Sequence, residues 1–311
     1  MRGPATARRR ATLIGLLAVA LWSAVVGLIR GVSQVFGATG GAALIYTVAT
    51  GLLLLTVGPT RVSALPRRYL LWGGGLFVAY ELCLSLSLGL ADDAQQAIEV
   101  GMVNYLWPCF TLTAAILFNG QRANALIVPG FALGVLGVCQ VLGGEHGLDA
   151  AEVLGHVRRN PVSYGLAFAG AVIWAAYCAV TARLARGANA VTLFFALTAL
   201  TLWAKFLLQG PAHPPLAWSL HGAGLLMMAA AAMGFGYAAW NWGLLHGNMT
   251  VLAGASYFIP VLSAALAGLM LQAPLPLSFW LGAAMVCAGS LLCWMATRAG
   301  THEAAVDGAA A

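Results

Sequence analysis

The run Asn104-Tyr105-Leu106-Trp107-Pro108-Cys109-Phe110, inside the apolar stretch from Gly101 to Phe118, decides how this chain folds. The stretch is apolar enough to cross a bilayer as a helix, yet Pro108 stands in its middle. A proline inside a helix donates no backbone hydrogen bond and presses on the carbonyl four residues back, here that of Asn104. Hydrocarbon supplies no replacement partner, so such a break is tolerated only beside other protein, polar side chains or a wet cavity. The same pattern returns 152 residues later as Ser256-Tyr257-Phe258-Ile259-Pro260. Two broken membrane helices in corresponding places are the arrangement that places a binding site at the midplane of a secondary carrier.

The composition agrees with a membrane setting. Hydrophobic residues make up 61% of the 311 residues and charged residues 8%, with a mean hydropathy of +0.87. Ten apolar runs lie near 12–32, 37–57, 69–90, 95–118, 126–143, 163–183, 190–208, 221–245, 248–271 and 277–298. Each is close to the roughly 20 residues that a membrane helix requires. The predicted fold class is therefore an all-α integral membrane protein of ten transmembrane helices. The first run is full length and lacks a small-residue cleavage site, so it reads as a retained helix rather than a signal peptide.

The net charge of +6 belongs to topology rather than to nucleic acid. With the N-terminus in the cytoplasm, Arg2, Arg8, Arg9, Arg10, Arg61, Arg67, Arg68, Arg122, Arg183, Arg186 and Arg298 fall inside. Asp92, Asp93, Glu145, Asp149 and Glu152 fall outside. This asymmetry follows the positive-inside rule and puts both termini in the cytoplasm. The six cysteines lie within apolar spans without a Cys-x-x-Cys pair, and neither disulfide nor metal site is expected. No cofactor motif occurs: a phosphate-binding loop, His-Glu-x-x-His and Gly-x-Ser-x-Gly are all missing, so an enzyme is not expected.

An internal repeat organises the chain. Trp22 matches Trp174, Asn104-Tyr105 and Pro108 match Ser256-Tyr257 and Pro260, and Gly130 and Gly137 match Gly282 and Gly289, all at an offset of 152. The expected units are a cytoplasmic segment 1–11, a first repeat 12–143, a periplasmic linker 144–162, a second repeat 163–298 and an irregular cytoplasmic tail 299–311. Five spans per repeat is odd, so the second copy enters from the opposite side and the halves are inverted (5+5) around a central cavity. The glycine-rich fifth and tenth spans read as close-packing helices within a monomer.

Four spans carry a polar or aromatic face at helical spacing. They present Trp22; Tyr80 and Glu81; Trp174 and Tyr177; and Tyr237, Trp240 and Asn241. With Asn104, Tyr105, Trp107 and Tyr257 of the broken helices, these are the candidate substrate-binding residues, and Pro108 and Pro260 the candidate hinges. A carboxylate at mid-depth is costly and calls for a role or a partner. Glu81 is placed to carry a proton, meet a substrate ammonium or pair with Arg30 or Lys205. Glu99 lies nearer the outer surface, and Glu81, Glu99 and Arg30 are the candidates for proton or charge coupling. Arg30 is placed to meet a substrate carboxylate or to snorkel outward.

The segments Leu21–Ser33, Gln96–Pro108, Tyr237–Asn241 and Leu245–Thr250 resemble those of the drug/metabolite transporter superfamily with paired EamA domains, and within it the YddG-type aromatic amino acid exporters. The resemblance covers nearly all of 11–300. It implies efflux of tryptophan, phenylalanine and tyrosine through the inner membrane, with a broad drug or quaternary-cation (methyl viologen) efflux carrier as the alternative. The implied partners are aromatic amino acids and membrane lipids.

Overall fold

The computed structural model describes residues 4–210, 216 and 218–307, so residues 1–3 of the expected N-terminal segment and 308–311 of the expected tail lie outside the described residues. Every regular element described is helical. The first span is two helices, α1 (Pro4–Ser23) and α2 (Val25–Phe36), meeting at 44°. After α3 (Ala38–Thr56), a wide helical turn over Tyr69–Gly73 leads into α4 (Gly74–Gly89). Helices α5 (Ala94–Asn104) and α6 (Trp107–Asn119) follow, then α7 (Ile127–Leu142), α8 (Ala150–Arg159) and α9 (Pro161–Leu184). Next come α10 (Val191–Leu208), α11 (Leu220–His246), α12 (Met249–Ser256), α13 (Ile259–Leu271) and α14 (Leu277–Asp307). Among the described residues, seven spans are long and apolar enough to cross a bilayer, or eight if the bent α1–α2 pair is one. Helices α7 and α13 are apolar but shorter. The chain is a multi-pass helical membrane protein.

The proline breaks fall where the sequence places them. Two residues, Tyr105 and Leu106, separate α5 from α6, and Pro108 enters the first turn of α6. There a missing N–H removes no intrahelical bond. Pro260 does the same in the first turn of α13, after Tyr257 and Phe258. The bend between α1 and α2, by contrast, has no proline. Ser23 donates its hydroxyl to the Val19 carbonyl at 2.7 Å, and the Ala24 N–H turns back to Leu21 at 3.1 Å. Side-chain competition of this kind bends helices, and it sets Trp22 beside a break.

Two further findings concern the linker and the tail. The linker holds α8, capped by Asp149, whose carboxylate accepts from the N–H groups of Ala151 and Glu152 at 2.7 and 3.3 Å. Glu152 in its first turn and Arg158 and Arg159 in its last suit the helix dipole. Helix α14 runs on through Asp307 instead of ending near Ala299, because Glu303, Ala304 and Ala305 are strong helix formers.

Packing is closest for α7 on α14, α1 on α11, α3 on α10, and α4 and α6 on α9. The α7–α14 contact is backbone against backbone. A methyl group on Gly289 would lie 2.5 Å from the Gly134 nitrogen, and one on Gly137 would lie 2.7 Å from the Gly282 oxygen. In lipid, such approach supplies the van der Waals contact that replaces a hydrophobic driving force. Gly289→Ala is therefore expected to lower thermal stability in detergent by about 1–3 kcal/mol. Gly75→Ala, which meets nothing within 4 Å, should be neutral or stabilising. Equal melting temperatures for Gly289→Ala and the parent would show that the two helices are not in backbone contact.

Candidate functional site

The faces singled out from sequence converge on one ring cluster. Trp22 at the end of α1 packs on Tyr237 (centroids 5.2 Å apart) and Trp240 (5.3 Å), both from α11. Tyr80 of α4 lies 4.5 Å from Trp174 of α9, which also meets Tyr177 at 5.1 Å, Trp107 of α6 at 6.3 Å and Tyr237 at 6.3 Å. Such tilted and edge-on pairs each contribute of order 1 kcal/mol beyond burial. Tyr237 is the hub: it also touches Phe77 and Phe195, at 5.7 and 5.2 Å, which packing at the α4–α10 side brings in. Trp22, Trp107, Trp174, Tyr177, Tyr237 and Trp240 are each half-buried, whereas Tyr80 is buried.

Glu81 sits behind this cluster and is fully buried. Its Oε2 accepts the hydroxyl of Tyr46 from α3 at 2.6 Å, and its Oε1 accepts the hydroxyl of Tyr237 at 2.7 Å. These are lengths of hydroxyl-to-carboxylate bonds. Ser85 donates to the Tyr46 oxygen at 3.3 Å. The expected alternative, pairing with Arg30 or Lys205, is not what the fold provides. Arg30 is 8% exposed and donates to the carbonyls of Gly89 and Asp92, at 3.2 Å each, fastening the end of α4. Lys205 is in the last turn of α10.

Two polar atoms at the centre have no hydrogen-bond partner: the Trp22 indole Nε1 and the Asn104 Oδ1. The indole nitrogen faces Gly236 and the amide oxygen faces Gly170, where added side chains would sit 2.5 and 3.3 Å away. Asn241 is half-buried next to Trp240. Tyr105 and Tyr257 go elsewhere. The Tyr105 hydroxyl faces Ser263 of α13, and Tyr257 pairs with Trp294 of α14 at 6.2 Å.

Glu99 belongs to a second polar network. Its Oε2 accepts from Tyr164 at 2.6 Å and contacts His156 Nδ1 at 2.9 Å, while Gln95 donates to Oε1 at 3.2 Å. Nearby Asn160 donates to the Leu90 carbonyl and to Gln96, both at 2.9 Å. Helix α8 is thereby tied across α5 to the end of α4. Tyr46, His156, Tyr164 and Asn160 were not singled out from sequence. Tyr46 lies in an otherwise apolar span, and only the three-dimensional packing of α3 on α10 and α11 reveals what it faces.

A multi-pass helical bundle with broken helices around a ring-lined polar centre is the architecture of a membrane transporter. Residues 162–295 match the EamA-like transporter family. The aromatic amino acid exporter YddG of Salmonella typhimurium is 56% identical over 290 residues, spanning 93% of this chain and 98% of that protein. That of Escherichia coli is 56% identical over 293 residues, spanning 94% and 99%. That of Ancylobacter novellus is 30% identical over 266 residues, spanning 82% and 87%. A solved crystal structure shares the fold with a TM-score of 0.60 at 24% identity, over 92% of this chain and 98% of that one. This chain belongs to the EamA-like transporter family.

The second network makes a direct prediction. Tyr164→Phe removes a hydroxyl from a buried carboxylate and is expected to cost about 1.5–3 kcal/mol of stability. His156→Ala should act through the same carboxylate, so the double variant should lose less than the two single losses added together. Strict additivity in thermal denaturation would show that the two side chains do not share Glu99.

Proposed function

We propose that this protein exports tryptophan, phenylalanine and tyrosine across a bacterial inner membrane by alternating access. The observation that carries the reading is the ring cluster of Trp22, Tyr80, Trp107, Trp174, Tyr177, Tyr237 and Trp240, with a carboxylate behind it. The names of the relatives at 56% identity point the same way. A substrate ring takes over ring-to-ring contacts in this cluster as the helices part. Trp22 Nε1 and Asn104 Oδ1, left without partners in the protein, and Asn241 are available to its polar head. Tyr105 and Tyr257, packed away from the rings at the two breaks, reach the substrate only as the helices move.

In this reading ten spans form two inverted halves, 12–143 and 163–298, around a cavity between them. The segment 144–162 is periplasmic, and the segments 1–11 and 299–311 are cytoplasmic. The packing supports it. Exchanging the halves turns the α1–α11 contact into α9–α4 and leaves α3–α10 and α7–α14 unchanged. The α6–α9 contact likewise becomes α13 on α1 and α2. The protein works as a monomer in the lipid, and Pro108 and Pro260 are the hinges.

Two sets of variants in proteoliposomes test this. Trp174→Ala should reduce phenylalanine flux by at least about tenfold, the loss of roughly 1.4 kcal/mol, and leave flux of a small aliphatic amino acid at its parental level. Equal loss for both classes would contradict a ring-selective site. The double variant Pro108→Ala, Pro260→Ala should slow flux while retaining phenylalanine binding. Unchanged flux would remove the hinge role.

A further inference from the structure

The charge balance of the site has a consequence for what else it carries. Glu81 is fully buried, and both its oxygens are bound by neutral hydroxyls, from Tyr46 and Tyr237. Among the described residues, the ion pairs are His146–Glu152 and His156–Glu99, so Glu81 has no protein cation within reach. Arg30 is committed to the Gly89 and Asp92 carbonyls. Lys205 is ten residues beyond Phe195, the α10 ring that touches Tyr237, or about 15 Å along the helix axis. A buried carboxylate without a counter-charge is costly. A carboxylate offers about four acceptor positions, and here two are filled. A substrate ammonium, a three-fold donor, meets both needs. The substrate's carboxylate, by contrast, finds only neutral donors, the Trp22 indole N–H and the Asn241 side-chain amide, while the unpartnered Asn104 Oδ1 is an acceptor and suits the ammonium. Ring and ammonium are thus the groups the site recognises strongly.

Resting on the exporter reading, we propose that the same site takes arylalkylamines: an aromatic ring on a short chain with a primary ammonium and no carboxylate. Tyr46 is the positioning residue that holds Glu81 for them. A quaternary ammonium, which donates no hydrogen bond, fits less well.

The test is competition against labelled phenylalanine flux in proteoliposomes holding the full chain. The competitors are phenethylamine, phenylpropionate and phenethyltrimethylammonium. Phenethylamine should compete within about tenfold of unlabelled phenylalanine. Phenylpropionate, which lacks the ammonium, should be weaker than phenethylamine by at least about tenfold, the lower end of what a hydrogen bond to a charged group contributes. The trimethylated compound should fall between them. In Tyr46→Phe, which keeps the ring against Phe195, the preference for phenethylamine over phenylpropionate should shrink. Phenylpropionate competing as well as phenethylamine, or a preference unchanged in Tyr46→Phe, overturns the proposal. Phenylalanine flux in the same vesicles reports separately on the exporter reading.

Discussion

A carboxylate at the centre of a membrane bundle must be satisfied by the protein or by what the protein binds. Glu81 is met by hydroxyls from two different helices, Tyr46 on α3 and Tyr237 on α11. The bond to Tyr237 fixes that ring's edge, and the ring in turn touches Trp22, Trp174, Phe77 and Phe195. Through this one side chain the polar centre and the aromatic cluster become a single unit, shared by α1, α4, α9, α10 and α11. In a low-dielectric setting such a network holds its members in register, because any partner left alone carries a large desolvation cost.

The rest of the bundle frames that unit with features of two kinds. Glycine contacts between α7 and α14 bring backbones together and leave no room for rearrangement there. The breaks after Ser23, Asn104 and Ser256 do the opposite, setting short helices end to end through residues such as Ala24, Leu106 and Phe258, whose N–H groups turn back three residues. Rigid packing stands at one side and loosened helices at the centre, which is the division of labour a carrier with one moving site needs. The Glu99 network adds a tie between α5, α8 and α9. Separating α5 from α9 must break the Tyr164 contact, and separating α5 from α8 the His156 contact.

Much of this was legible in the sequence, for physical reasons that differ by feature. Proline and glycine act locally, so the breaks at Tyr105 and Tyr257 and the close α7–α14 contact could be placed from Pro108, Pro260 and the repeated glycines. Aromatic residues at helical spacing marked the faces that converge at Trp174 and Tyr237. What escaped depended on contacts across the bundle. Glu81 carried no sign that its partners would be tyrosines rather than Arg30 or Lys205. The bend after Ser23 comes from one hydroxyl choosing the Val19 carbonyl, a choice no residue type dictates. Helix α8, however, announces itself in Asp149, Glu152, Arg158 and Arg159, a capping and dipole pattern readable without coordinates.

The central claim is that a cluster of rings, rather than a general polar pocket, selects what this protein moves. Counterflow of labelled tryptophan in proteoliposomes, with excess unlabelled tyrosine or leucine on the same side, tests it most directly. The account predicts saturable counterflow that tyrosine suppresses and leucine at the same concentration leaves unchanged. Equal suppression by leucine, or no counterflow at all, would contradict it.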